Sequence, residues 1–178
     1  MSAERQPLRI PRDAVPWVRF GARLIDTWTF LGLPLYLSLP RFAPGVADDP
    51  VGRDLAYSFA LLVYTLVEAL LLATWGTTPG KWVLNMRVTN ENGGSLPLGR
   101  AWRRAFTVYW RGMGAGLSLF MLIGQFVGYK ALEKTGTTAW DRQTQATVVH
   151  GPVGKVRTIA ALVILFGPYA YMIAGSLI

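Results

Sequence analysis

The sequence predicts an all-α polytopic membrane protein. About four transmembrane or re-entrant helical segments are expected, with a short β-like hairpin on the cytoplasmic side. Three observations carry this. Of the 178 residues, 52% are hydrophobic, yet the net charge is +8 and the sequence pI about 10.2. The charges cluster between long apolar runs and are not spread along amphipathic elements, as expected of basic cytoplasmic loops. One run, residues 55–75, is long enough to cross the hydrocarbon core of a bilayer. A basic soluble protein of this size would suggest nucleic acid as a partner; the apolar runs set that class aside.

Residues 1–16 carry Arg5, Arg9 and Arg12 among three prolines, Pro7, Pro11 and Pro16. They are expected to form a mobile basic arm on anionic headgroups. The N-terminus has no apolar stretch before a cleavage site, so the first span is expected to act as the insertion signal. That span covers residues 24–39 and is interrupted at Gly32 and Pro34. A loop of low positive charge follows at residues 40–54. The span at 55–75 contains one ionisable residue, Glu68. A charge in hydrocarbon costs several kcal/mol unless it is paired, protonated or hydrated, so Glu68 is expected to face either a polar cavity or the interface.

Residues 82–89 are rich in β-formers, and Asn90-Glu91-Asn92-Gly93-Gly94 reads as a turn, so Leu96-Pro97-Leu98 is expected to return as the second strand. Arg100, Arg103 and Arg104 open an interfacial helix that snorkels its cations to phosphates. Residues 112–129 are apolar, and their glycine-xxx-glycine patterns are expected to serve helix contacts, oligomeric ones included. Residues 135–150 are polar with a strand-like end, and 158–178 form a last span broken at Gly167-Pro168. Loop charges place the N-terminus inside, 40–54 outside and 76–111 inside. A single crossing by 112–129 would strand Lys130, Lys134, Arg142, Lys155 and Arg157 outside. A hairpin of residues 105–129 around 112–116 keeps them inside and is the preferred topology.

Arg19-x-x-Ala22-x-x-Ile25-Asp26 leads into the first span and places an arginine and a carboxylate on one helix face. Gly76-Thr77-Thr78-Pro79-Gly80-Lys81 follows the second span. It is one residue short of a phosphate loop and has Trp82 where a hydroxyl would hold magnesium, so nucleotide hydrolysis is rejected. It reads as a helix-ending turn, with Lys81 on lipid phosphate or on Asp141. Trp140-Asp141-Arg142 precedes Thr147-Val148-Val149; there Asp141 is a loop charge of little cost. The chain has no cysteine and one histidine, His150. No metal site, cofactor, nucleophilic triad or enzyme activity is therefore expected.

In this combination and order, the motifs resemble the RDD family of small integral membrane proteins, named for one arginine and two aspartates. The resemblance implies a membrane domain over residues 17–150, preceded by the arm at 1–16 and followed by an additional helix at 151–178. Carried over, Arg19, Asp26 and Asp141 are the naming residues, and Thr78, Gly80, Lys81 and Thr147 match the accompanying motifs. Trp140 stands where the family often has histidine.

Two functions are expected from different classes. One is transport of a small cation, proton-coupled ion or small solute through a polar cluster around Asp26, with Glu68, Arg19, Arg23 and Asp141 around it. The other is a membrane-embedded adaptor or regulatory subunit in which that cluster is structural. Arg19 and Arg23 as mere headgroup anchors are an equal alternative at the level of residues. The expected partners are an anionic bilayer and either further copies of the chain or another membrane protein, in a multi-pass inner-membrane setting with the N-terminus cytoplasmic.

Overall fold

Pro16 opens the first helix, α1 (Pro16–Thr27), in the computed structural model, which describes residues 16–176. The basic arm with Arg5, Arg9 and Arg12 lies outside the described residues. At the end of α1 the Thr27 hydroxyl donates to the Arg23 carbonyl at 2.9 Å, and the next five residues, Trp28–Gly32, widen into a π-helical turn. A back-bonding hydroxyl competes with the helical ladder and favours such a change of pitch. Helix α2 (Leu33–Phe42) continues with Pro34 in its first turn. The expected interruption at Gly32 and Pro34 is therefore a change of winding.

Residues 40–54, expected as a loop, are largely helical. Pro40 lies inside α2, α3 covers Pro44–Asp48, and α4 (Pro50–Thr74) begins well before residue 55. Pro44 and Pro50, which read as loop signals, sit at helix starts, where the missing N–H costs nothing. Asp49 caps α4, accepting from the Gly52 amide at 2.8 Å. Among the described residues, α4 is the one helix long and apolar enough to cross a membrane. Leu55, Phe59, Val63, Leu66 and Leu70 are exposed on it, whereas Leu61, Tyr64, Thr65, Glu68 and Leu72 are buried.

The chain then uses one local design twice. After α4, Gly76 (φ +69°) ends the helix, Thr77-Thr78 lead into the short α5 (Pro79–Val83), and Asn85 (φ +54°) turns the chain into strand β1 (Met86–Thr89). The second pass follows α7 (Ser118–Thr135). Gly136 (φ +68°) ends that helix, Thr137-Thr138 lead into α8 (Ala139–Gln143), and Gln145 (φ +52°) turns into strand β2 (Thr147–His150). The helix before each long one matches too. In α6 (Leu98–Thr107), Thr107 donates to the Arg103 carbonyl at 2.7 Å, and a π turn follows at Val108–Gly112. Gln145 holds the left-handed conformation without a side chain suited to it, whereas its counterpart is asparagine. Gln145→Asn is expected to stabilise the protein by about 0.5 kcal/mol, read as a higher thermal midpoint in detergent.

The two strands pair with each other, antiparallel, with Met86 opposite His150 and Thr89 opposite Thr147. This corrects the expected local hairpin. The turn at 90–94 does form, its Asn90 amide bonded to the Gly94 carbonyl at 2.9 Å. Beyond it, however, Leu96 goes into a core with Leu72, Val88 and Ala101. Pro97, which cannot donate to a ladder, precedes a helix. Trp82 and Val83, read as strand, belong to α5.

Residues 105–129 turn back on themselves. The reversal at Gly114–Gly116 uses left-handed backbone at Gly114, Ala115 and Gly116, and α7 returns along the π turn at Val108–Gly112. Gly124 packs so closely there that a Cβ would sit 2.6 Å from the Arg111 carbonyl. Gly116 meets Ser58 on α4, roughly 15 Å along the helix from Glu68 at 1.5 Å per residue. Leu31, Leu61, Tyr64, Val108, Tyr109 and Met113 form the core that seats this hairpin on α4. The glycine-xxx-glycine faces are thus occupied within the chain. Helix α9 (Lys155–Ser176) runs through Gly167-Pro168 unbroken, and the Arg157 guanidinium lies 5.5 Å from the Trp82 ring centre.

Candidate functional site

The helix ends that flank the sheet bring seven charged side chains into one buried network. Asp26, at the end of α1, is fully enclosed. It accepts the Gly80 amide at 2.7 Å and the Thr78 hydroxyl at 2.5 Å, and Lys81 Nζ lies 3.5 Å away. Both carboxylate oxygens are therefore engaged by the turn at 76–81, and Asp26 ties α1 to α5. The closeness depends on Gly80, where a Cβ would collide with the Ala22 carbonyl and stand 2.9 Å from the Asp26 carboxylate.

Glu68, on the buried face of α4, is the second anchor. Arg23 Nη1 donates to it at 2.6 Å and Lys81 Nζ at 3.1 Å, while Arg104 Nη1 is 3.8 Å away. Lys81 also donates to Thr78 at 3.0 Å. Lys81 thus pairs with Glu68 and Asp26, and neither the expected lipid phosphate nor Asp141 is its partner. Burial pulls its ammonium below the ordinary lysine range, with Glu68 and Asp26 opposing the shift.

Asp141 is the third carboxylate, buried at 2% exposure where a cheap loop charge was expected. Thr138 caps the short α8 and donates to it at 2.7 Å. Arg19 Nη1 reaches it at 3.0 Å and Arg104 approaches with Nε at 2.9 Å and Nη2 at 2.8 Å. Arg19 also donates through Nε to His150 on β2 at 3.1 Å. An imidazole does stand near Asp141, then, though it comes from the strand and not from position 140.

Two members of the network were missed as site residues. Arg104 read as a snorkelling surface cation but is 3% exposed, because α6 packs along α4 with that face inward. His150 was noted only for being single. The signal that would have located Asp141 is the repeated Gly-Thr-Thr, which sets Asp141 and Lys81 each three residues after its second threonine. Thr147 stands apart. It is exposed at the far end of β2, and its carbonyl accepts from Thr89 at 3.4 Å.

The described residues thus make a largely helical protein with a two-stranded sheet, an apolar membrane-length helix and an enclosed arginine–aspartate network. The RDD family model matches residues 14–145, and the chain belongs to the RDD family, a family of membrane proteins. Comparison with curated proteins and with solved structures returns no match.

Proposed function

We propose that this RDD-family chain is a carrier of a small ion or solute and has no enzymatic role, with the Arg23–Glu68 pair as the barrier in its path. One observation carries the reading. Two cavities, of about 390 and 910 Å³, share Phe20, Arg23 and Gln125 in their walls. The smaller reaches the sheet at Met86 and Val148; the larger runs to Arg53 and Asp54 near the start of α4. The larger touches α4 only at its start, and the two meet at Arg23, which holds Glu68 behind the shared wall.

In this reading the sheet end is cytoplasmic, since Arg87, Arg100, Arg142 and Lys155 gather there by the positive-inside rule. Residues 16–42, α4, the hairpin at 105–129 and α9 are the membrane segments of a multi-pass inner-membrane protein. A single chain leaves the larger cavity open along its flank, so further copies would complete its wall. Asp26 positions Lys81 and does not itself exchange ions.

The test is flux in proteoliposomes holding a trapped pH-sensitive dye and pulsed in turn with Na+, K+ and chloride. The parent chain is expected to give a signal with at least one of them. Arg23→Gln combined with Glu68→Gln removes the barrier while leaving Lys81 on Asp26 and Arg104 on Asp141. That pair is expected to raise passive leak about tenfold, equivalent to about 1.4 kcal/mol of barrier. A silent parent that co-purifies with a stoichiometric membrane-protein partner would favour the adaptor instead.

A further inference from the structure

We infer that the cavity beneath the sheet binds an amphiphilic anion, an acidic head group carrying an apolar chain. The inference rests on the charges and donors that remain after every internal ion pair is counted. Arg19, Arg23, Lys81 and Arg104 face Asp26, Glu68 and Asp141, so four cations meet three carboxylates. One positive charge is left uncompensated in a place shielded from water, which is costly unless an anion joins it.

The donors are in surplus as well. Arg104 Nη1 is buried and makes no hydrogen bond, its nearest carboxylate being 3.8 Å away. Arg19 spends Nε on His150 and Nη1 on Asp141. Arg23 spends only Nη1 on Glu68. All three guanidiniums line the cavity of about 390 Å³. Planar N–H forks of this kind match carboxylate and phosphate oxygens.

The rest of the wall describes the chain of the ligand. The same cavity is lined by Trp17, Phe20, Phe126, Tyr129, Leu132 and Trp140. Trp17 and Tyr129 meet with ring centres 5.3 Å apart, and Trp17 is 67% exposed, so the apolar side reaches the outer flank of the protein. A bare inorganic anion would answer the charge and leave this wall unfilled. A neutral lipid would do the reverse. A head group of one negative charge with an alkyl chain satisfies both. Such a molecule comes from the bilayer as an anionic phospholipid, or from solution as a free long-chain acid.

Native mass spectrometry of the full chain in a neutral detergent tests this, with dioleoyl phosphatidylglycerol, dodecanoate, dioleoyl phosphatidylcholine and inorganic phosphate as probes. The expected result is one equivalent of phosphatidylglycerol or dodecanoate per chain, bound at least tenfold more tightly than phosphatidylcholine and undisturbed by millimolar phosphate. Phosphatidylglycerol without dodecanoate assigns the bilayer as the source; displacement of the lipid by dodecanoate assigns the free acid. Arg19→Gln is expected to weaken binding about tenfold, and Arg19→Lys to recover part of it. Trp17→Ala, at a position 67% exposed, is expected to weaken chain-bearing anions several-fold without a comparable fall in thermal midpoint. Equal retention of phosphatidylcholine, competition by phosphate alone, or unchanged binding in the Trp17→Ala protein would overturn the inference. These readouts do not involve flux, so they stand or fall separately from the carrier reading.

Discussion

Glu68→Ala is expected to be the most destabilising single change in the network, costing about 3–5 kcal/mol. The carboxylate is 2% exposed and holds Arg23 at 2.6 Å and Lys81 at 3.1 Å, with Arg104 at 3.8 Å. Its removal leaves three cations facing one another in a place water does not reach. Breaking one side of a buried ion pair is costly because the other side stays uncompensated, whereas removing both sides can be nearly neutral. A thermal midpoint in detergent should fall by on the order of 10 °C for a chain of this size. Adding Arg23→Gln to Glu68→Gln should recover part of the loss, since three cations rather than four then face the two remaining carboxylates. A double-mutant cycle over Arg23 and Glu68 measures this coupling, and additive losses would contradict a direct pair.

Gly80→Ala tests the same centre without changing any charge. The added methyl would enter the space of the Ala22 carbonyl and press on the Asp26 carboxylate 2.9 Å away. The turn at 76–81 must then lift off α1, lengthening the Gly80 and Thr78 bonds to Asp26. Overpacking of this kind costs about 1–3 kcal/mol, and the lost hydrogen bonds to a charged acceptor add about 1.5–3 kcal/mol each. The expected outcome is a protein that unfolds at least as readily as one lacking Asp26. Amide exchange should quicken in α5 and at the end of α1 before the middle of α4. A protein of unchanged midpoint would show that α1 and the turn are not in contact.

How much of this was legible beforehand follows from the kind of information each feature needs. Asp26 and Glu68 stand in apolar surroundings, and the cost of a bare charge there announces that each has a partner. The reversal at 105–129 was visible from loop charge, because a straight crossing would have put five basic residues on the wrong side. The pairings were not visible. Lys81 goes to Glu68, and Asp141 to Arg19 and Arg104, because α5 seats on α1 and α6 runs along α4, relations that no local pattern contains. The strand partner was misread for a related reason. Asn90–Gly94 is a strong turn, and a strong turn argues for the nearest return strand, but the partner comes from after α7. Burial of Arg104 was hidden by its neighbours: Arg100 and Arg103 on the same short helix are exposed.

The antiparallel ladder of β1 and β2 has a mechanical consequence. It joins the unit that ends α4 to the unit that ends α7, each through a short helix flanked by two left-handed residues. It works as a yoke between two levers. If α7 swings away from α4 at the reversal end, the strands must twist against each other or the short helices must pivot on Asn85 and Gln145. Movement at the deep end of the hairpin is thereby passed to the short helices α5 and α8, which carry Lys81 and Asp141.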